Sequence, residues 1–353
     1  MAARSGYTHN HQLWLPVLPE RLYLNAFEEY RNSCFADGEW KKRTGVWSLD
    51  LTMGLVDDPV NQAQVPLVVS YPECGHIAVI GTVVSGKSTF MQTMAYGLIS
   101  SYSPQYVNLY AIDFSSKMMS AFEKSAHVGG VMYETDLEKI GRFFTMIGRI
   151  LEERKKIFRG GNYSQYVQVN GVKYPAIIIM IDNYSAFKEK TKEAYEEMVV
   201  TLAKEGVSHG IFLVLSGAGF GMNEISNRIG ESLKTVICLE MADKFAYSDA
   251  LHTLRIDVLP EVGVKGRGLA YYGSRVLEFQ TALAMEAEAD YQRMERISEY
   301  CSELNRCWSG RSARPVPSIP DEPVWDEFRT LEDVEEKIAD PRYLPVGYND
   351  KDA

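Results

Sequence analysis

One segment constrains the fold of this chain more than any other: a short apolar run followed by a glycine-containing loop and a helix-forming stretch. The apolar run is HIAVI (76–80), the loop is GTVVSGKS (81–88), and the helix is predicted over 87–101. The loop matches the pattern GxxxxGK[ST] at every fixed position. In such loops the glycines let backbone N–H groups point inward at phosphate oxygens, so the segment predicts a nucleotide-binding P-loop.

The loop predicts both a ligand and the residues that hold it. Lys87 would place its charge on the β- and γ-phosphates, Ser88 would coordinate Mg²⁺, and the N-terminus of the helix would add a favourable dipole. We therefore predict ATP and Mg²⁺ as cofactors. The predicted nucleotide-binding residues are Gly81, Val84, Ser85, Gly86, Lys87, Ser88 and Thr89. The alternative is a glycine-rich turn that binds no ligand.

A second part of the predicted site is the acid that ends the apolar strand AIIIMID (176–182). P-loop proteins use an acid at the end of a neighbouring strand to hold the metal, so Ser88 and Asp182 are the predicted metal-binding residues. The alternative is that Asp182 caps the following turn. Asn183 stands where hydrolysing relatives usually carry a second acid. Because an amide is a far poorer base than a carboxylate, Asp182 and Asn183 as candidate catalytic residues predict slow hydrolysis.

Four further polar residues are candidates with an open alternative. Asp113 ends an apolar strand and either faces the nucleotide or is an ordinary polar residue at a strand end. Ser216 follows another apolar strand and is the one residue there suited to contact the γ-phosphate. A neighbouring subunit often supplies an arginine to such a site. Arg228 and Arg267 are the candidates, and a surface or ion-pair role is the alternative for each.

The alternation of short apolar runs with helical stretches predicts the fold class. We expect an α/β fold of the RecA-like P-loop NTPase type, with a mostly parallel sheet flanked by helices on both faces. The predicted strands are 76–80, 107–113, 176–182, 210–216 and 235–240, with a closing hairpin of 269–272 and 276–281. The predicted helices are 21–31, 87–101, 135–158 with a capping box from Thr135 to Glu138, 192–205 and 285–308.

Composition narrows the function classes. The net charge is −10, from 37 basic and 47 acidic residues, which weakens a nucleic-acid motor because such proteins usually present a basic face. Five widely spaced cysteines argue against a disulfide framework or a zinc site and fit a reducing compartment. His76 and His127 have no partner at metal-ligand spacing and are expected to be hydrogen-bonded. No apolar run is long enough to cross a bilayer, so we expect a soluble, cytosolic polypeptide.

Six segments together resemble a known family, the FtsK/SpoIIIE-type ATPases of type VII (ESX/Ess) secretion systems. They are LWLPVLPE, GLVDDPVNQAQVPL, GHIAVIG with GKSTFMQTM, IDFSSKMMSAFEKSAHVGGVM, IDNYSAFKE and GRGLAYYGSRVLEFQTAL, and they cover most of the chain. The resemblance implies a large membrane-anchored protein with several such modules in tandem on the cytoplasmic face of the bacterial cell membrane. Later modules of this family are often degenerate, and Asn183 places this chain among the second or third modules.

The resemblance also implies a domain organisation and partners. Residues 1–30 are expected to be an inter-module linker, 31–283 the ATPase domain, 284–310 a C-terminal helix packing on it, and 311–353 a linker toward a next module. The expected partners are adjacent modules of the same chain, secreted WXG100-like proteins and further copies in a hexamer. No nucleic acid is expected, and the membrane is reached only through the rest of the protein. Adenine is expected near 260–267 and the strand of Phe279.

Three functions remain open on the sequence. The first is an ATP-binding, weakly hydrolysing module that regulates or powers export of WXG100-type proteins. The second is an active hexameric translocase of DNA or protein, which requires a second acid beside Asp182 and a basic pore. The third is a docking module that uses ATP only structurally. The intact loop of 81–88 argues against a domain that has abandoned nucleotide. Residues 13–30, which are apolar and rich in proline, are a candidate for docking on a neighbouring module.

Overall fold

A ten-stranded sheet organises the part of the chain that the structure, a computed structural model, describes: residues 15–41, 45–318 and 324–347. The strand order is β2-β1-β10-β9-β8-β3-β7-β6-β4-β5. In chain order the strands are β1 (Leu49–Asp58), β2 (Ala63–Tyr71), β3 (Ile77–Ile80), β4 (Val107–Asp113), β5 (Val128–Tyr133), β6 (Ala176–Asp182), β7 (Ile211–Gly217), β8 (Thr235–Leu239), β9 (Arg267–Tyr272) and β10 (Arg275–Thr281).

The sheet has a parallel part and an antiparallel part. From β8 to β5 in the sheet order, each strand is parallel to the next. The pairs β8–β9, β9–β10, β10–β1 and β1–β2 are antiparallel. The predicted mostly parallel sheet and the predicted hairpin, now β9 and β10, are both confirmed. The carboxyl ends of β3, β7 and β6 therefore lie side by side at one edge, where a P-loop site belongs.

Helices cover both faces of this sheet. They are α1 (Glu28–Ser33), α2 (Lys87–Ser101), α3 (Leu137–Phe158), α4 (Tyr163–Asn170), α5 (Tyr184–Lys190), α6 (Glu196–Glu205), α7 (Asn227–Gly230), α8 (Lys244–Ala250), α9 (Asp290–Cys307), α10 (Trp325–Phe328) and α11 (Glu332–Ile338), with short 3₁₀ turns at Leu24–Ala26, Met118–Phe122 and Val207–His209. None of these helices combines the length and the apolarity that a membrane crossing needs.

Two buried clusters lie on opposite faces of the sheet, and β3 contributes to both. Val79 packs in the cluster that includes Phe90 of α2 and Ile297 of α9. Its neighbour Ile80 packs in the other cluster, with Phe143 of α3. Successive residues of a strand point to opposite faces, so a strand buried on both sides reads as a continuous apolar run. The expected helices on both faces are confirmed.

Several predicted helix boundaries are wrong. The helix expected over 21–31 is instead the 3₁₀ turn Leu24–Ala26 followed by α1. The helix expected to begin at Lys192 begins at Glu196, because Lys192 and Glu193 adopt positive φ angles of 51° and 59°. The helix expected from residue 285 begins at Asp290.

The capping box predicted at the start of α3 is also wrong. The N-cap residue is Asp136, and no side chain caps the helix. The Thr135 hydroxyl donates to Oδ1 of Asp136 at 3.1 Å, and Oδ2 accepts from the Tyr133 N–H at 2.9 Å. Asp136 therefore ties the helix to the end of β5. Because the helix begins at Leu137, one residue later than the box predicts, its third residue is Lys139, which cannot complete a capping box.

Both terminal segments lie on the domain where the structure describes them. Near the start, the Gln64 side chain donates to the Pro16 carbonyl at 2.7 Å. Near the end, the Ala313 N–H donates to the carbonyl of Ala126 at 2.8 Å, and the Val316 N–H to that of Gly129 at 2.9 Å. Residues 1–14, 319–323 and 348–353 of the predicted linkers lie outside the described residues.

Candidate functional site

The loop between β3 and α2 has the backbone that a phosphate-binding loop requires. Val84 and Gly86 adopt left-handed φ angles of +67° and +107°. A Cβ atom at Gly86 would lie 2.9 Å from the backbone nitrogen of Gly266, so only glycine fits there. The Gly266 N–H donates to the Ser85 carbonyl at 2.9 Å. The loop is therefore held from outside by the segment that enters β9.

Lys87 folds back over the loop from the first turn of α2. Its Nζ donates to the carbonyls of Gly81 and Thr82, both at 2.7 Å. Burial lowers the pKa of Lys87, while the carboxylates of Asp182 and Glu224 act in the opposite direction. The Lys87 ammonium therefore lies over the loop and is affected by two carboxylates. A bound phosphate would neutralise its positive charge.

Ser88, Asp182 and Ser216 form a hydrogen-bonded chain across three neighbouring elements. The Ser88 hydroxyl donates to Oδ2 of Asp182 at 2.6 Å, and the Ser216 hydroxyl donates to Oδ1 at 2.5 Å. Asp182 is only 1% exposed. Burial raises its pKa, and the two hydroxyls oppose that effect. A carboxylate and a hydroxyl oxygen at this separation are the hard oxygen ligands that Mg²⁺ prefers, so the residues fit the predicted metal.

Ser216 supports Asp182 rather than facing the ligand. It is fully buried at the end of β7, and its oxygen also accepts from the Asn183 N–H at 2.8 Å. The interpretation of Ser216 as a contact to the γ-phosphate is therefore wrong. Its hydroxyl orients the carboxylate that the metal would use.

Asn183 uses its amide within the protein. It is the N-cap of α5, with a φ of +64°, a conformation that asparagine tolerates better than most residues. Its side-chain oxygen accepts from the Ala186 N–H at 3.4 Å and the Ser185 hydroxyl at 3.1 Å, and its Nδ2 donates to the Phe114 carbonyl at 3.2 Å. The catalytic role of Asn183 stays a prediction.

Asp113 organises the loop that follows β4. Its Oδ1 accepts from the N–H groups of Ser115 at 3.0 Å and Lys117 at 3.1 Å, and its Oδ2 accepts from the Met119 N–H at 3.2 Å. These three bonds hold the chain above the sheet edge. The alternative interpretation, a polar residue that structures a strand end, is the one that the geometry supports.

The two candidate histidines are buried and hydrogen-bonded, as expected. Nδ1 of His76 accepts from the Leu213 N–H at 2.8 Å, and Nε2 of His127 lies 2.7 Å from the Tyr102 carbonyl. Burial lowers the pKa of each to about 4, so both are neutral at physiological pH. Within the described ranges, no three His, Cys, Asp or Glu side chains are grouped as metal ligands.

Arg267 is wrong as a candidate for an arginine acting on a neighbouring subunit. Its side chain is 3% exposed, its Nε donates to the Gln280 side chain at 2.8 Å, and its Nη2 donates to the Leu18 carbonyl at 2.9 Å. It anchors the N-terminal segment. Arg228 is half-exposed and makes a two-pronged pair with Glu197 at 2.6 and 3.0 Å, which is its ion-pair alternative.

A cavity of about 1230 Å³ opens beside the loop. Beyond the loop, it is lined by the ranges 20–21, 261–266, 280–281 and 287–290, with Leu283 and Arg293. The expected base region of 260–267 thus borders the cavity. Phe279 is buried in the core, and its neighbours Gln280 and Thr281 line the cavity instead. Sequence reasoning missed the contribution of Glu20 and Arg21, which only the folding of the N-terminal segment against β9 brings there.

Glu224 is the other residue of the cavity that sequence reasoning missed. It lies in the loop after β7, and its Oε2 accepts from the Ala218 N–H at 3.2 Å. It lines the same cavity as Lys87 and Asp182. The one signal in the sequence is the glycine-rich run SGAGFGMNE (216–224), which predicts a tight loop at the sheet edge but not the direction of a side chain.

Sequence comparisons with known proteins find relatives among secretion proteins. The FtsK/SpoIIIE family model matches residues 34–209. A type VII secretion system protein EssC from Staphylococcus aureus (strain MRSA252) is 28% identical over 348 residues, covering 96% of this chain and 22% of that protein. An ESX secretion system protein EccC from Thermomonospora curvata is 28% identical over 328 residues, covering 88% of this chain and 24% of that protein. The chain thus spans less than a quarter of the curated relatives it matches.

Two solved structures show the same fold. EssC (ATPases 2 and 3) from Geobacillus thermodenitrificans superposes with a TM-score of 0.73 at 23% identity, covering 90% of this chain and 57% of that one. Thermomonospora curvata EccC (ATPases 2 and 3), in complex with a signal sequence peptide, has the same TM-score and identity, covering 89% of this chain and 57% of that one. The chain therefore matches the FtsK/SpoIIIE family over residues 34–209, and over nearly its whole length it is similar to the type VII secretion proteins EssC and EccC.

Proposed function

We propose that this chain is an ATP-binding module of a type VII secretion ATPase, and that it hydrolyses ATP slowly. The observation that carries the proposal is the hydrogen-bonded chain of Ser88, Asp182 and Ser216 beneath an intact phosphate-binding loop. A domain that had abandoned nucleotide would have no reason to bury a carboxylate there, because an uncompensated buried charge is destabilising.

Each residue of the loop has a defined task in binding. Lys87 would exchange its two loop carbonyls for phosphate oxygens. Ser88 and Asp182 would hold the metal, with Asp182 kept in place by Ser216. Mg²⁺, when bound, would neutralise charge on the β- and γ-phosphates. The loop N–H groups and the start of α2 complete the anion site.

Slow turnover is expected because no second acid follows Asp182 at the end of β6. The residue after Asp182 is Asn183, whose amide caps α5, and the candidate Arg267 is bound to the N-terminal segment. A binding module with weak chemistry suits regulation, since ATP can then fix the conformation that contacts neighbours.

The wider role is proposed from the relatives. EssC and EccC are named as type VII secretion proteins, and one EccC structure contains a signal sequence peptide. We propose that the present module acts at the cytoplasmic face of the membrane. Its partners there would be adjacent modules of the same chain, further copies in a hexamer, and secreted proteins of the WXG100 type, whose export it would regulate or power.

Thermal unfolding with and without ATP·Mg²⁺ tests the proposal. A ligand at 100 times its Kd stabilises a protein by about 2.7 kcal/mol, so we expect the melting temperature to rise by several degrees. Lys87→Ala should remove the rise. Lys190→Ala, at the exposed end of α5, is the matched control and should keep it. No rise in the parent protein, or an equal rise in Lys87→Ala, would contradict ATP binding at the loop, and turnover of several ATP per second would contradict slow hydrolysis.

A further inference from the structure

We infer that Glu224 is the general base for the hydrolysis of ATP in this module, an inference that rests on the proposed function. The position directly after Asp182, where a base is expected, is Asn183. Glu224 offers a carboxylate to the same cavity from a different element, the loop between β7 and α7.

The order of the strands puts this loop at the reaction centre. β7 lies between β3, which carries the phosphate-binding loop, and β6, which ends at Asp182, and both pairings are parallel. A group held at the end of β7 therefore stands between Lys87 and Asp182. These are the residues that bind the γ-phosphate and the metal in the proposed site.

Hydrogen bonds within the loop hold Glu224 over the end of β7. Its N–H donates to the Gly221 carbonyl at 3.2 Å, and the Gly221 N–H donates to the carbonyl of Ile225 at 2.9 Å. Ile225 is fully buried, which anchors this closed turn in the core. The carboxylate lies against Gly217, on which a Cβ would stand 3.4 Å from Oε2.

One carboxylate oxygen of Glu224 is held by a hydrogen bond, and the other can accept a proton. Oε2 accepts from the Ala218 N–H at 3.2 Å, whereas among the described residues none donates a hydrogen bond to Oε1. The same carboxylate acts on Lys87, whose pKa it raises together with Asp182 against the effect of burial. Glu224 is therefore within electrostatic reach of the ammonium that would hold the γ-phosphate.

The chemistry assigned to Glu224 is the removal of one proton from the attacking water. The water oxygen forms a bond to the γ-phosphorus as the bond from that phosphorus to the β,γ-bridging oxygen breaks, and its electron pair leaves with ADP. The proton goes to Oε1 of Glu224 and then to the released phosphate or to solvent. Water, ATP, ADP and phosphate balance without a further reactant, and a positioned base contributes about 10²–10⁴-fold to such a step.

Glu224→Gln in the full chain tests the assignment, because glutamine keeps an oxygen for the Ala218 N–H and loses only the basicity. We expect ATP hydrolysis to fall by about 100-fold or more. The ATP·Mg²⁺-dependent rise in melting temperature should stay equal or grow, since a negative charge beside the phosphates is gone. Glu231→Gln, exposed just after α7, is the control and should hydrolyse ATP like the parent.

The two readouts separate the base from the binding site. Parent-like hydrolysis in Glu224→Gln, or loss of its ATP-dependent rise, overturns the inference, as does a parent protein that binds ATP without hydrolysing it; these leave ATP binding standing. A parent protein that shows no ATP-dependent rise overturns the proposed function, and the inference falls with it. Should Glu224→Gln not fold, Glu224→Asp keeps the acid on a shorter side chain, and it must show reduced hydrolysis with binding retained.

Discussion

Asp182 is a buried acid at the position where Mg²⁺ would bind. Both of its oxygens accept serine hydroxyls, yet burial still raises its pKa, so the charged form is disfavoured without its cation. The sequence predicted the meeting of Ser88 with Asp182, because a loop motif and a strand end define it locally. It missed the support from Ser216, which depends on the strand order.

Asp182→Asn should make the ATP-free protein more stable at neutral pH and remove the Mg²⁺ dependence of ATP binding. An acid whose pKa is raised by folding destabilises the fold once pH exceeds its unfolded value, and this effect is complete above its folded value. The gain, about 0.5–2 kcal/mol, should therefore be present at neutral to alkaline pH and vanish below about pH 4, where an aspartate is protonated in both states. Urea unfolding across pH measures it, and a gain that persists in acid would contradict the burial argument.

Among the helices and strands, boundaries set by local sequence were predicted accurately, and boundaries set by tertiary packing were not. The bounds of α2, β4 and β6 were predicted to the residue, because the phosphate loop fixes one and continuous apolar runs fix the others. The start of α6 was missed because tertiary packing holds positive φ angles at Lys192 and Glu193. The link between the N-terminal segment and Arg267 joins residues 249 apart, and no local pattern encodes such a contact.

Arg267→Ala should loosen the N-terminal segment and destabilise the domain. Removing one partner of a buried charged network costs about 3–5 kcal/mol, and the carbonyl of Leu18 and the side chains of Glu278 and Gln280 would all lose their donor. Urea unfolding measures the loss, and limited proteolysis should cut near residues 15–24. Arg228→Ala removes an exposed pair with Glu197 and should cost less than about 1 kcal/mol. Equal effects of the two changes would contradict the anchoring role.

For the molecule as a whole, the sheet has an edge strand that the C-terminal segment covers. β5 is the last strand in the sheet order. Residues 313–316 run beside its start. The Val316 N–H donates to the Gly129 carbonyl in β5, the Ala313 N–H donates to the Ala126 carbonyl just before β5, and the Tyr110 hydroxyl of β4 donates to the Arg314 carbonyl at 2.7 Å. An uncovered edge is a template for pairing with other chains. The segment predicted only as a linker therefore also covers part of the sheet edge.

Ending the chain after Gly310 should expose this edge, whereas ending it after Ser318 should not. We expect the shorter protein to melt at a lower temperature, because the buried side chains of Ala313 and Val316 are lost with the backbone bonds. It should also aggregate in a concentration-dependent way. Light scattering and thermal unfolding of the two truncated chains measure both effects, and indistinguishable behaviour would contradict a covering role for 313–316.

The adjacency of Gly266 and Arg267 couples the phosphate loop to the N-terminal segment. One residue holds the phosphate loop through the Ser85 carbonyl, and the next holds the N-terminal segment through Leu18. If ATP binding shifts the phosphate loop, the peptide of Gly266 and Arg267 transmits the shift to the N-terminal segment. Thermodynamic reciprocity then requires that tension on the N-terminal segment change the affinity for ATP by the same factor by which ATP changes the hold on that segment. The fraction of the protein that binds ATP would then depend on the mechanical force applied to the N-terminal segment.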